Sequence, residues 1–192
     1  MALDQGYRVK ALVRKPEKMA SQHENLQIIK GDVLNQEDVQ KTLDDTDIVV
    51  SLFGHVKGSP RWLQTRGTRH IVDAMEKTGT TKIISLSGGG LPFPEKDQPK
   101  LTDKLIRLIM KIAVPGILKD AVAHHQVLAD SDRQWVIVRG PRLTNDPPRG
   151  EYRVGWVGVN ASTKIARADL ADFILKQIES PEFHYQMPFV SY

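Results

Sequence analysis

The stretch RVKALVRKP at residues 8–16 decides the fold, because it predicts a strand that ends on two basic side chains. Apolar residues recur at every second position of its first half, as they do along one face of a strand. Pro16 has no N–H to donate to a neighbouring strand, so the ladder stops before it. The sequence therefore places Arg14 and Lys15 at the carboxyl end of a strand.

Length and composition predict a single domain over residues 1–192. The 21.6 kDa chain is long enough for a sheet covered by helices on both faces. It contains no cysteine, which excludes disulfides and thiolate metal sites, and we expect a cytoplasmic protein. We expect neither a membrane span nor a signal peptide. The net charge of +4 favours anionic ligands, but basic and aromatic residues are not interleaved as in proteins that bind nucleic acid.

Strand-like and helix-like segments alternate along the rest of the chain. The apolar run at residues 47–54 is too continuous for a half-exposed strand and predicts one covered on both faces. Asn35 can cap a helix, with Asp38 in the capping-box position. The pattern predicts an α/β fold of the Rossmann-like type, doubly wound, with a mostly parallel sheet. The other predicted segments are strands at 26–30, 82–87, 134–139 and 184–190, a strand-like pair at 152–159, and helices at 60–78, 101–112, 115–131 and from 169 onward.

Polar or glycine residues follow five of these apolar strands, at the edge where ligands bind in a doubly wound sheet. An arginine at the end of the second strand of a Rossmann unit accepts the ribose 2′-phosphate of NADP, and Lys15 adds charge beside Arg14. The alternative for Arg14 is a solvated basic strand end. Gly54 and Gly88 would let a flat ligand approach the backbone, and Asp32 could accept a hydrogen bond from an adenine amine. The five strand ends are Arg14-Lys15, Gly31-Asp32-Val33, Leu52-Phe53-Gly54-His55, Ser87-Gly88-Gly89 and Pro141-Arg142-Leu143.

The sequence resembles the atypical short-chain dehydrogenases/reductases, and within them the NmrA-like group and the biliverdin-IXβ reductase/flavin reductase branch. The resemblance extends over nearly the whole chain. It implies an NADPH-dependent oxidoreductase that passes hydride from nicotinamide to a planar acceptor such as a flavin. The matching pieces are LVR at 12–14, GDVL at 31–34, DV at 38–39, KT at 41–42, LFG at 52–54, GTRHIV at 67–72, AM at 74–75, Lys82, Ser87, HQVL at 125–128, GEY at 150–152 and DL at 169–170.

The resemblance also assigns roles to individual residues. Ser87 would be the hydrogen-bonding residue beside the nicotinamide, and His125 would lie near the reaction site. For His125, a histidine on a helix surface is the alternative interpretation. The implied cofactor contacts are Arg14 to the 2′-phosphate, Asp32 and Val33 to the adenine, Leu52, Phe53 and Gly54 to the pyrophosphate and ribose, and Pro141, Arg142 and Leu143 to the nicotinamide.

Two features depart from the family pattern. No tyrosine is followed four residues later by lysine, so no tyrosine base is assigned. The glycine-rich phosphate loop lies about 20 residues before the ribose-binding residue, and counting back from Arg14 runs past Met1. We therefore expect a sheet without its first strand and phosphate loop, in an incomplete or degenerate chain that binds NADP weakly or not at all. In strand order 3-2-1-4-5-6, the strands on either side of the missing one would lose their common neighbour.

The sequence is also compatible with two other functions. One is an NmrA-like sensor that binds NADP without turnover. The other is docking to a membrane or partner through the basic amphipathic helix at residues 101–119. For that helix we favour packing of its apolar face over the crevice, because the stripe has ordinary core spacing. The sequence contains neither a Gly-x-Ser-x-Gly elbow nor a P-loop, so acyl and phosphoryl transfer have no support.

Overall fold

The alternation of strands and helices is present in the computed structural model, which describes residues 1–192, and it confirms the Rossmann-like α/β fold class. Most strand pairs are parallel, as predicted. The strands are β1 (Val9–Val13), β2 (Leu26–Lys30), β3 (Ile48–Ser51), β4 (Lys82–Gly88), β5 (Gln134–Gly140), β6 (Arg142–Thr144), β7 (Arg153–Gly155), β8 (Lys164–Ala166) and β9 (Phe189–Ser191). The helices are α1 (Gln36–Leu43), α2 (Leu63–Thr78), α3 (Leu101–Ala113), α4 (Pro115–Ala129) and α5 (Arg167–Lys176).

The strands form three ladders rather than one continuous sheet. β1 pairs only with β2, while a second ladder has the order β3-β4-β5-β9-β7 with β7 antiparallel. β6 and β8 form a third, two-stranded ladder that the sequence pattern did not indicate. No strand lies between β1 and β3, so these two strands share no neighbour.

The gap beside β3 explains one wrong prediction. The apolar run at 47–54 was expected to be covered on both faces, but Val50 is 37% exposed while Val49 and Ser51 are buried. β3 is the edge of its ladder and pairs with β4 alone. The apolar sequence is therefore only half covered, as in an edge strand.

Two core clusters lie on opposite faces of the five-stranded ladder. Alternate residues of β4 and β5 point to opposite faces, which is why both strands are apolar throughout. One cluster joins Ile83 and Ile137 to α1, α2 and α4, and the other joins Ile84 and Val138 to α5. Helices thus cover both faces, as the doubly wound pattern requires.

Local helix signals were partly right. The Asn35 side chain accepts hydrogen bonds from the backbone N–H groups of Glu37 and Asp38, so the predicted cap is confirmed. The reciprocal bond of a capping box is absent, because the Asp38 carboxylate instead accepts from the Asp32 N–H at 2.8 Å. α2 begins at Leu63 rather than at residue 60, because Trp62 takes a left-handed conformation with φ of 59°.

The prediction for α3 was wrong. Its apolar stripe does not pack over the crevice but faces solvent, with Leu101, Leu108 and Ile112 each more than half exposed. The side that meets the protein body carries Asp103, Arg107 and Met110. No helix of the protein has the length and apolar character needed to cross a membrane.

Candidate functional site

The parallel register brings several strand ends to one edge. Ser87 lies opposite Arg139 on β5, and Gly88 lies opposite Gly140. The Gly89 N–H donates to the Gly140 carbonyl at 2.9 Å, which ties the segments leaving β4 and β5 together. A Cβ at Gly89 would lie 2.6 Å from the Phe189 ring, so this approach requires glycine.

Ser87 has the most informative position at this edge. Its side chain is 7% exposed, and its Oγ is buried without any hydrogen-bond partner. A buried hydroxyl without a partner is costly, so such groups in native proteins point to an unseen partner. Gly88 next to it has open space where a side chain would be. The end of β4 thus places a buried, unpartnered hydroxyl beside accessible backbone.

Arg14 and Lys15 follow β1 as predicted, and both side chains are exposed. Neither forms an ion pair with a carboxylate of the protein. Their charges are therefore available to an anion at the carboxyl end of β1.

The turn after β2 is held by its own polar groups. Asp32 Oδ1 accepts a hydrogen bond from the Leu34 N–H at 2.9 Å, and the Asp32 N–H donates to Asp38. One carboxylate oxygen of Asp32 is thus used by the turn itself. Val33 is half-buried, and its carbonyl bonds to His70 Nδ1 at 3.0 Å.

The ends of β2 and β3 meet over Gly67 of α2. A Cβ at Gly67 would lie 2.6 Å from the Phe53 ring and 3.0 Å from the Val33 side chain. Phe53 is therefore held inward, whereas Leu52 beside it is 57% exposed. Gly54 meets nothing within 4 Å of the position that a Cβ would take. This strand end leaves its backbone open to a flat ligand.

These groups fit an NADP molecule by their chemistry. A free guanidinium suits a phosphate, open glycine backbone suits the pyrophosphate and ribose, and an unpaired hydroxyl suits the nicotinamide amide. A family model described as NAD(P)H-binding matches residues 1–181. The chain belongs to the NAD(P)H-binding family. The match confirms the superfamily to which the sequence was assigned by resemblance.

Solved structures of similar fold share little sequence with this NAD(P)H-binding chain. A short-chain dehydrogenase/reductase from Veillonella parvula in complex with NADP has a TM-score of 0.76 at 16% identity, covering 96% of this chain and 82% of that one. ChuY, an anaerobillin reductase from Escherichia coli O157:H7, gives 0.72 at 18%, covering 99% and 87%. The oxidoreductase ylbE from Lactococcus lactis gives 0.74 at 20%, covering 96% and 80%. At these identities the likeness concerns the fold alone.

The NAD(P)H-binding chain carries a buried His–Asp pair that the sequence did not reveal. His55 Nε2 lies 2.6 Å from Asp120 Oδ2, and the Asp120 carboxylate also accepts from the N–H groups of Gln64 and Thr65. Asp120 therefore caps the N-terminus of α2 and orients His55 at the end of β3. Burial raises the pKa of Asp120, but the Thr65 hydroxyl and N–H, the Gln64 N–H and His55 outweigh it and hold that pKa below its ordinary value.

A second buried pair fixes the segment after β4. The fully buried Arg139 guanidinium makes two 2.8 Å hydrogen bonds to the Asp97 carboxylate and one to the Leu91 carbonyl. Burial alone would raise the pKa of Asp97, but the bonds from Arg139 and from the Phe93 and Val157 N–H groups keep it below its ordinary value. Residues 91–97 are thereby anchored beside Ser87.

The two adjacent histidines of α4 face different surroundings. His124 Nε2 lies 2.9 Å from the Ser85 hydroxyl, and burial lowers the pKa of His124 to about 4. His125 is half-buried, and its ring packs edge-on against Trp135 at 5.3 Å. Trp135 lies four residues before Arg139, the register partner of Ser87. The structure therefore does not bring His125 into contact with Ser87, and the catalytic assignment of His125 stays a prediction.

The last predicted strand end is Pro141-Arg142-Leu143. Arg142 and Leu143 belong to β6, which pairs with β8. Arg142 is exposed and forms no ion pair, while Leu143 packs against the second core cluster. The segment leaves β5 at Gly140, so it starts next to the end of β4.

Proposed function

We propose that this protein is an NADPH-dependent oxidoreductase of the flavin reductase or biliverdin reductase type. It would transfer hydride from nicotinamide to a planar acceptor, with a flavin as the first acceptor to test. The observation that carries the proposal is the buried, unpartnered Ser87 hydroxyl at the end of β4, together with the exposed Arg14 guanidinium, free of ion pairs, at the end of β1. One end of the cofactor would meet each of these groups.

The remaining strand ends have roles that follow from their chemistry. Arg14 and Lys15 bind the 2′-phosphate through charge, and Asp32 and Val33 contact the adenine. Leu52, Phe53 and Gly54 lie along the pyrophosphate and ribose, where the open backbone of Gly54 allows close approach. Pro141, Arg142 and Leu143 flank the nicotinamide. The bound cofactor supplies the hydride, and the protein contributes binding, orientation and a hydrogen bond from Ser87.

Nucleotide binding is the first test. Quenching of the fluorescence of Trp62, Trp135 and Trp156 during titration with NADPH and NADH measures both affinities. We expect NADPH to bind more tightly, because only NADPH carries the 2′-phosphate. Oxidation of NADPH on addition of a flavin would support the reductase, whereas a folded chain that binds neither nucleotide would overturn the proposal.

A variant without the Arg14 charge tests the contact to the 2′-phosphate specifically. Arg14→Gln removes the guanidinium that would face the phosphate, and a hydrogen bond to a charged group contributes about 1.5–3 kcal/mol. NADPH affinity should fall about 10-fold to 100-fold while NADH affinity stays the same. The matched control is Lys18→Gln, which removes an exposed charge four residues away. Equal effects of both variants would contradict a specific phosphate contact.

The alternative is an NmrA-like protein that binds NADP and docks on a partner without turnover. The exposed apolar face of α3 favours it, because such a surface suits interaction. NADPH binding with no oxidation by any of several flavins or linear tetrapyrroles would favour this alternative. Absence of binding would leave an inactive homologue.

A further inference from the structure

α3 is turned the opposite way from an ordinary surface helix. A surface helix normally buries its apolar face and exposes its charged face. Here the half-buried side consists of Asp103, Arg107 and Met110, and a Cβ at Gly90 would lie 3.0 Å from the Met110 side chain. The exposed side carries six large apolar side chains, between 49% and 83% exposed: Leu101, Leu105, Ile106, Leu108, Ile109 and Ile112.

Basic residues border this apolar face. Lys104 is three residues after Leu101 and four before Leu108, and Lys111 is three after Leu108, so both lie beside the exposed leucines on the helix surface. Neither forms an ion pair within the protein. The single acid of α3, Asp103, accepts a hydrogen bond from the Lys100 N–H at 2.8 Å and caps the helix.

A positively charged groove lies behind the helix. Its volume is about 740 Å³, and α2, α3 and α4 line it. Arg69, Arg107, Lys111 and Lys119 contribute four cationic side chains, whereas Asp130 is the one acid in its lining. None of these four cations forms an ion pair with the protein. Lys111 both lines this groove and borders the exposed apolar face, so the basic groove adjoins that face.

We propose that α3 docks this protein on the surface of an anionic lipid bilayer. The apolar side chains would enter the boundary between headgroups and acyl chains, and Lys104 and Lys111 would extend to the phosphate level, as lysines do at the edge of an interfacial helix. A 13-residue helix is about 20 Å long, too short to span a bilayer, so α3 lies in the plane of the surface.

Charge is the reason to choose a bilayer over a second copy of the chain. Pairing two α3 helices through their apolar faces would bring two sets of unpaired lysines together without any facing acid. An anionic lipid surface instead complements every cation that borders the face, at about a fivefold gain in affinity for each lysine near the membrane.

Cosedimentation with vesicles tests the proposal on the full chain. We expect binding to vesicles of phosphatidylcholine mixed with phosphatidylglycerol, little binding to pure phosphatidylcholine, and weakening at high salt. The double variant Leu108→Glu with Ile112→Glu should abolish binding, since it places two like charges on the apolar face. Both positions are exposed, so the fold is retained and circular dichroism verifies it. Lys104→Glu with Lys111→Glu should weaken binding by more than about 25-fold.

The control carries the same charge change elsewhere. Val56→Glu with Val154→Glu adds two carboxylates at exposed valines outside α3 and should still sediment with anionic vesicles if α3 is the docking surface. Equal loss in both double glutamate variants would overturn the assignment to α3. So would absence of vesicle binding by the wild-type chain, or equal binding to neutral vesicles. Light scattering tests whether a second copy of the chain covers the apolar face instead. If the wild type is a dimer and Leu108→Glu with Ile112→Glu converts it to a monomer, the face belongs to a second copy and the proposal is overturned.

Discussion

Two serines on β4 differ only in their partners. Ser85 and Ser87 are both buried, but the Ser85 hydroxyl bonds to His124 whereas the Ser87 hydroxyl has no partner. A buried hydroxyl without a hydrogen bond lowers stability, and an apolar residue at the same position would avoid this desolvation penalty. Selection for stability alone therefore gives no reason to keep a serine there. The contrast indicates a structural role for Ser85 and supports the proposal that Ser87 binds a ligand.

Alanine substitution at the two positions should have opposite effects. Ser87→Ala should leave the free energy of unfolding unchanged or higher, while NADPH-dependent turnover falls. Ser85→Ala should lower that free energy by about 1–3 kcal/mol, because it leaves His124 buried without its partner. Urea denaturation and NADPH oxidation measure the two quantities. A loss of stability in Ser87→Ala as large as in Ser85→Ala would mean that Ser87 is structural.

His124 predicts how stability depends on pH. Its pKa is about 4 in the folded protein and about 6.5 in the unfolded chain, because burial disfavours the charged ring. The contribution is fully present above pH 6.5 and is lost as the pH falls towards 4, since only the unfolded state then binds the proton. The total loss is about 3 kcal/mol.

A variant isolates this contribution from the other histidines. Burial also lowers the pKa values of His125 and His184, so the wild-type profile contains all three. His124→Gln should flatten the fall in unfolding free energy between pH 6.5 and 4, whereas His23→Gln, at an exposed histidine, should not. Identical pH profiles for the wild type and His124→Gln would show that His124 is not buried as a neutral ring.

At the scale of elements, one buried ion pair holds the segment after β4 in place. Asp97 joins residues 91–97 to β5 through Arg139, and its Oδ1 also accepts from the Val157 N–H at 3.1 Å. Asp97→Asn would leave the Arg139 charge buried without compensation. We expect a loss of about 3–5 kcal/mol in unfolding free energy.

An exposed ion pair provides the comparison. Asp172 pairs with Lys176, whose side chain is 62% exposed, and such surface pairs contribute about 0–1 kcal/mol. Chemical denaturation of Asp97→Asn and Asp172→Asn should therefore give clearly different losses. Similar losses would contradict a special role for the Arg139 pair.

Elements were predictable wherever the signal was local. Alternation and a terminal proline located β1, and with it Arg14, while the Asn35 cap located the start of α1. The apolar stripe of α3 also gave the helix correctly, but periodicity is the same whether a stripe meets the core or solvent. Its exposure depends on how the helix sits against α4, which no local pattern encodes.

In the candidate site too, only features with a local sequence signal could be predicted. The sequence correctly placed Ser87 and Gly54 at strand ends, because a strand end can be located from the apolar strand before it. The Arg139–Asp97 and His55–Asp120 pairs join residues 42 and 65 positions apart, so neither leaves a spacing signature. Asp120 lies in the sequence of α4, and nothing in that sequence indicates that His55 is its buried partner.

At the scale of the whole molecule, the two larger sheet regions, the β1–β2 ladder and the five-stranded ladder, differ in burial, beside the small β6–β8 ladder. No residue of β1 or β2 is fully buried, whereas most residues of β4 and β5 are. The two regions are joined through packing of α1 on α2 and not through a strand ladder. Local opening should therefore be easiest in the β1–β2 ladder.

Hydrogen exchange measures this difference directly. Amides of β1 and β2 should exchange faster than those of β4 and β5, because opening the first ladder exposes little apolar surface. Mass spectrometry of peptic fragments from residues 9–30 and 82–140 gives both rates. Protection of β1 equal to that of β5 would show that the ladders open as one unit.

The gap between β1 and β3 also affects how tightly a dinucleotide can bind. Arg14 follows β1 of one ladder, and Ser87 lies on β4 of the other. A ligand that contacts both residues therefore binds only those molecules in which the two ladders have the relative position that the ligand requires. If about one molecule in ten is aligned, the apparent affinity is about tenfold weaker than the intrinsic one. A covalent cross-link between β1 and β3 would then tighten ligand binding without altering any residue that touches the ligand.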